Sequence, residues 1–256
     1  MEVVEKMKEL FEEGHPNALA STNNLALTYW NQGRWKKAEK LQAQVMSKSK
    51  ETLGERHPDT LTSMGNLAGT YSNLGRWKDA EKLQVEVMEK SKEVFEEGHP
   101  DTLRSIGNLA LTYWNQGRWE EAEKLEVEVM KKSKESLGEG CPFTLMSMSN
   151  LAVTYSQQGR WKEAGKLQAE VVEKRKGIFG EWHPDTLVSM GNLAMTYSRQ
   201  GRWDEAEKVQ VEVMKKTKKV FGEGHPETLT SMNNIADTYS KQERLDEAEK
   251  LQMEVM

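Results

Sequence analysis

Leu61, Met64, Leu67, Ala68 and Tyr71 fall at i, i+3, i+6, i+7 and i+10, while Thr62, Asn66, Gly69 and Asn73 lie on the opposite side. This is the spacing of a helix with one apolar stripe, not the alternation of a strand. It predicts a helix from Pro58 to about Leu74, closed by Gly75 in the left-handed conformation. A second series, Ala80, Leu83, Val87, Met88, Val94 and Phe95, predicts a second helix from near Trp77 to about Phe95 with those residues as its buried face. The whole pattern returns every 42 residues. Asn-Leu-Ala-x-Thr-Tyr begins at Asn24, Asn66, Asn108, Asn150 and Asn192, and Asn-Ile-Ala at Asn234. Gly-Arg-Trp follows at Gly33, Gly75, Gly117, Gly159 and Gly201, and becomes Glu243-Arg244-Leu245 in the last copy.

A fixed period of this size predicts an array of stacked helix pairs. The units start at 15, 57, 99, 141, 183 and 225, each at a His-Pro pair except Cys141-Pro142. Proline suits the first turn of a helix, where its missing N–H costs nothing. Asp59, Asp101, Asp185 or Glu227 follows it, which favours the positive helix end. Residues 1–14 align with the second half of a second helix, and the last unit stops inside its second helix. The expectation is one array over 1–256, either a fragment of a longer array or six permuted units, with no polar capping repeat in sight.

A lone helix pair buries too little to stand alone. Ala38, Ala80, Ala122, Ala164, Ala206 and Ala248 are small where two helices must approach. Tyr71 and the tryptophans Trp35, Trp77, Trp119, Trp161 and Trp203 are expected to fill the space between one pair and the next. Each buried side chain of that size stabilises by about 1.5–3 kcal/mol, provided that a neighbouring unit covers it.

Composition narrows the function. Basic residues number 36 and acidic ones 41, mixed along the chain, for a net charge of −5. Nucleic acid needs a basic face, so this balance argues against it, and equally against a basic membrane-surface helix. No apolar run reaches the roughly 20 residues of a membrane span. The single cysteine, Cys141, excludes an internal disulfide framework and fits a reducing compartment, with the cytoplasm as the expected location. The histidines stand one unit apart, each without a second ligand at zinc spacing. With no phosphate-cradling loop, nucleophile elbow or Cys/His pair, the expectation is a protein without catalysis, cofactor or metal.

Leu67-Ala68-x-x-Tyr71-x-x-x-Gly75-Arg76-Trp77-x-x-Ala80 resembles the tetratricopeptide repeat. The longer second helix and the loop Leu53-Gly54-Glu55-Arg56-His57-Pro58-Asp59-Thr60 make it similar to the kinesin light chain type, at 42 residues rather than the classical 34. Similar near-identical arrays also form sensor arms of large signalling ATPases. The resemblance implies an all-α, right-handed solenoid, a superhelix whose first helices line the concave side. It also implies binding of extended peptides or partner helices there, without chemistry.

The residues point to the same surface. The first helices' open stripe varies between copies: Leu27, Leu111, Val153, Met195 and Asp237 at the Gly69 position, and Trp30 and Trp114 against serines at the Ser72 position. Apolar residues on an open face suggest a contact surface. Trp30 and Trp114 read either as anchors for a partner or as packing at a repeat junction. Asn24, Asn66, Asn108, Asn150, Asn192 and Asn234 do not vary. An amide can pair with a peptide backbone of any sequence, bond a neighbouring helix, or switch between the two. Arg104, Arg199 and Lys241 add sparse positive charge, and the arginine of each turn reads as structural. These residues form the expected peptide-binding set. The alternative is a self-associating array within a larger signalling protein, or a consensus-like array with no dedicated ligand.

Overall fold

The computed structural model describes residues 14–255. The helix half expected before residue 14 thus lies outside the described residues. Contacts gather the chain into two compact units, Met1–Ser136 and Leu137–Met256. The described part of the first holds α1 (Pro16–Asn31), α2 (Trp35–Thr52), α3 (Pro58–Asn73), α4 (Trp77–Val94), α5 (Pro100–Asn115) and α6 (Trp119–Leu137), whose last residue marks the division. The second holds α7 (Pro142–Gln157), α8 (Trp161–Phe179), α9 (Pro184–Arg199), α10 (Trp203–Phe221), α11 (Pro226–Lys241) and α12 (Leu245–Val255). Within each unit consecutive helices pack in pairs, and each pair packs on the next, as in a solenoid. Among the described residues there is no strand, and no helix is long and apolar enough to cross a membrane.

The helix ends are written in the repeat. Every first helix begins with proline at its first position. The preceding histidine caps it: Nδ1 of His15, His57, His99, His183 and His225 accepts the backbone N–H two residues on, at 3.2 Å. This satisfies one of the orphan donors of the first turn. His99 also stacks on Phe95, with ring centroids 4.4 Å apart. The histidines are therefore structural caps, and Cys141 makes no such bond.

At the other end Arg76 N–H reaches Tyr71 O and Gly75 N–H reaches Ser72 O, a Schellman closure repeated in all six copies. It needs a positive φ, which glycine supplies at Gly33, Gly75, Gly117, Gly159 and Gly201 and Glu243 adopts at 64° in the sixth. The closure aims the next arginine back over the tyrosine. Guanidinium-to-ring distances are 4.4, 4.3, 4.1, 4.2, 4.2 and 4.0 Å for Arg34, Arg76, Arg118, Arg160, Arg202 and Arg244. Arg118 is also ion-paired to Glu81 of the preceding repeat at 2.8 Å and to Glu121. Hydrogen bonds to Glu121 and Glu81 hold its pKa above the ordinary arginine value.

The core follows the predicted stripe of the first helices: Leu61, Met64, Leu67 and Ala68 are buried, as are their counterparts Leu103, Ile106, Leu109 and Ala110. The six close-approach alanines are buried too. The second helices differ from expectation. Their buried stripe is Ala80, Gln84, Val87 and Ser91, half of it polar. Leu83, Met88 and Phe95 are half-buried, and Val94 is 37% exposed. Thr52, Ser136, Ile178 and Val220, at the same place, are exposed as well. Second helices of 18–19 residues overrun the 16-residue first helices, so the last turn projects past its support. Three of the five tryptophans also differ: at the first position of their helices, Trp35, Trp119 and Trp203 stay 37–39% exposed. Trp77 and Trp161 are half-buried, and the next repeat reaches their backbone through Gln116 Nε2 at 3.4 Å and Gln200 Nε2 at 2.6 Å.

Neighbouring second helices are laced by charge. Glu86 of α4 accepts from Lys50 of α2 at 3.1 Å and from Lys90 at 2.6 Å, and Lys90 reaches Glu55 in the preceding loop at 2.7 Å. Lys92, Glu128, Lys132 and Glu97 repeat the motif one unit on. Burial opposes charge on Glu86, but hydrogen bonds from Lys90 and Lys50 outweigh it and keep the carboxyl below its usual range.

Candidate functional site

Burying Leu61, Met64, Leu67 and Ala68 turns the opposite side of each first helix to solvent. The recurrent amides lie there. Asn24, Asn108, Asn150 and Asn192 are exposed, and Asn66 and Asn234 half-buried. Asn66 Nδ2 donates to Asn23 Oδ1 of the preceding first helix at 3.2 Å, so this amide already bridges two repeats.

In the first unit a cleft of about 420 Å³ opens across α1, α3 and α5. Its lining brings together Leu27, Asn66, Arg104 and Asn108 from the expected set, with Asn23 and Thr62 between them. Gly65 forms part of the wall and opens it, since nothing stands within 4 Å of where its side chain would be. Arg104 is paired with Asp101 at 2.6 Å, and both line the cleft, so the rim is not simply basic. Outside the cleft lining, Leu111 is 56% exposed and Trp30 37%. Trp114 is half-buried, and its indole N–H is turned inward and has no hydrogen-bond partner.

In the second unit a cleft of about 130 Å³ lies between α9 and α11. It unites Asn192, Met195 and Asn234 of the expected set. Asn150, Val153, Arg199 and Lys241 are exposed on the first helices but do not line it. Sequence reasoning missed two members of this face. Met146 and Val188 are 48% and 46% exposed, seven residues before Val153 and Met195 on α7 and α9. Seven residues is two helical turns, which was the signal available. Arg104 stands at the same position in α5, where its charge drew notice and the apolar residues did not.

Four segments of the chain, 17–90, 65–135, 143–215 and 185–256, match the sequence profile of the tetratricopeptide repeat. Among curated proteins none matches. Among solved structures, the chain is similar to a Podosopora anserina putative kinesin light chain with nearly identical TPR-like repeats, at 30% identity and TM-score 0.73 over 81% of this chain and 98% of that one. A point variant of that protein gives 29% identity and TM-score 0.74, over 82% and 98%. BtubC (BKLC) from P. vanneervenii shares the fold, at 18% identity and TM-score 0.75, over 86% of this chain and 89% of that one. So does a Rap protein complexed with Competence and Sporulation Factor, at 11% identity and TM-score 0.62, over 92% and 73%. Helix pairs closed by the same turn in all six copies, together with a profile match over most of its length, show that the chain belongs to the tetratricopeptide repeat family, as kinesin light chain-like repeats.

Proposed function

We propose that this protein holds a segment of a partner protein against the open face of its first helices and carries out no chemistry. The observation that supports this most is the first unit's cleft. It gathers Leu27, Asn66, Arg104 and Asn108 from three successive repeats around a volume of about 420 Å³. The amides supply donors and acceptors for a backbone of any sequence. The residues that differ between copies, such as Leu27 and Leu111, supply selection. The family serves generally in protein–protein interaction, and one protein of the same fold, a Rap protein, is complexed with Competence and Sporulation Factor.

The test is a peptide library screened by fluorescence anisotropy against the chain and against Asn66→Ala/Asn108→Ala. At roughly 1.4 kcal/mol for the lost backbone contacts, the double variant should bind its peptides about tenfold more weakly. Hits bound equally by both proteins would refute the assignment.

A further inference from the structure

The open face of the second unit has a different chemistry from that of the first. α7, from Pro142 to Gln157, carries no charged residue, a feature it shares with α1 of the first unit, so the difference lies in its apolar residues. Its Met146 and Val153, with Val188 and Met195 of α9, put four apolar side chains on the open face, 36–49% exposed. α7 and α9 are the only described first helices with a large apolar residue at both of these positions. α5 has Arg104 before Leu111, and α11 has Thr230 before Asp237. Val188 and Met195 also form a wall of the cleft between α9 and α11, with Leu187, Val213 and Phe221 below them and the amides of Asn192 and Asn234 alongside. At about 130 Å³ it is close to the engineered cavity of about 150 Å³ that takes up benzene. That is room for one side chain of leucine or phenylalanine size. Glu227 is the single charged residue in its lining.

We infer that the second unit takes a short, uncharged peptide segment that seats one large aliphatic or aromatic side chain between α9 and α11. The segment continues along the apolar row of α9 and α7, with Asn192 and Asn234 on its backbone. This rests on the peptide-binding reading above and specifies the class of segment. A second copy of the chain is a poorer occupant. The four side chains expose roughly 300 Å², the size of a functional surface patch, whereas a stable dimer buries about 800 Å² per partner. Glu227 at the rim opposes an acidic segment.

The probes are fluorescein-labelled Gly/Ser decapeptides that carry a central Leu-x-x-Ile, the same peptides with Leu replaced by Glu, Lys or Ala, and the full chain as receptor. The Leu peptide should bind, and the Glu peptide at least tenfold more weakly. Val188→Asp and, separately, Met146→Glu should each weaken the Leu peptide at least tenfold. Val94→Asp, at the exposed end of α4 in the first unit, should change it less than twofold. All three substituted positions are exposed, and thermal unfolding by circular dichroism checks that each variant is folded. Preference for the Glu peptide, or indifference to Val188→Asp and Met146→Glu, would overturn the inference and leave the wider peptide-binding reading in place. Absence of binding by every class at millimolar peptide would overturn both. A concentration-dependent dimer that buries Met195 would replace the peptide with a second copy.

Discussion

Gly65 offers a direct test of whether the open face is shaped for a ligand. It is the eighth of the sixteen residues of α3, mid-helix, where glycine costs about 0.8–1.0 kcal/mol relative to alanine. A methyl group placed on Gly65 meets nothing within 4 Å. Gly107 and Gly191, at the same position in α5 and α9, are equally open. Packing therefore does not ask for glycine here, and Gly65→Ala should stabilise by about 0.8–1.0 kcal/mol. For a chain of this size that is a rise of roughly 2–4 °C in melting temperature, read by circular dichroism at 222 nm. Gly65→Leu should keep most of that gain, since leucine is nearly as good a helix former. Its side chain would stand in the cleft lined by Leu27, Asn66 and Asn108, so peptides that bind the wild type through this cleft should bind at least tenfold more weakly. Gly117→Ala is the control. It forces alanine to a φ of 74° and should lose about 1–2 kcal/mol. A fall in melting temperature for Gly65→Ala would refute the argument, and so would a Gly65→Leu variant with wild-type affinity for every peptide.

Cys141 is the unit start without a cap, so Cys141→His should stabilise by about 1 kcal/mol, and His99→Ala should destabilise by at least as much because it loses both the cap and the Phe95 stack; paired denaturation curves check both. Arg118→Met should lower the melting temperature, with about 0.5–1 kcal/mol coming from the tyrosine contact, and this part should survive 1 M salt while the ion-pair part does not. The pH dependence follows from Glu86 and Glu128, whose carboxyls are held below their usual range because hydrogen bonds from lysine outweigh burial. A depressed carboxylate stabilises above its unfolded value of about 4.3, and that contribution disappears as pH falls through the lower folded value, so stability should drop progressively as the medium is acidified below about pH 5. Lys90 and Lys132 are held above the ordinary lysine value, since their pairing with glutamates outweighs burial, so their contribution is lost only as pH rises above about 10.4. Melting temperature against pH at 20 mM and 500 mM salt should show both edges, flattened at high salt.

The helix pairs, their ends and the unit boundaries were legible because they are local. Proline, glycine and an apolar stripe act within a few residues, and six copies repeat the same statement. The second helix was harder to read for a physical reason. Its buried face includes Gln42 and Gln84, polar residues that a hydrophobic pattern assigns to solvent. Each is buried because it accepts a hydrogen bond from a threonine 28 residues on, Thr70 and Thr112, in the next first helix. Such pairing appears only once the repeats are stacked. Val94, Trp35, Trp119 and Trp203 were misplaced for the opposite reason: they are apolar, but they stand at helix ends and stay 37–39% exposed. The open face was legible where a residue broke the repeat, as Trp30 and Arg104 do. It was missed where the departure was quiet, as at Met146 and Val188.

That contrast bears on what the array selects. Residues that close a turn or join two repeats are held nearly constant in all six copies: the proline, the turn arginine, its tyrosine, the alanine of close approach. Each meets a partner supplied by the neighbouring repeat or its own turn, so a change in one copy breaks a contact made in every copy. The positions of Thr62 and Gly69 meet no such partner and run through Ala20, Arg104, Met146, Val188 and Thr230, and through Leu27, Leu111, Val153, Met195 and Asp237. Stability places little demand on them, because solvent-exposed substitutions away from special features shift it by only about 0.5 kcal/mol either way. What stability leaves free, a bound segment can choose: polar and mixed in charge along the first unit's cleft, apolar along α7 and α9. Exchanging the pair Arg104/Leu111 with Met146/Val153 should therefore leave the melting temperature within about 2 °C while it redistributes peptide preference between the units. A large loss of stability in that exchange would mean that these positions serve the fold after all.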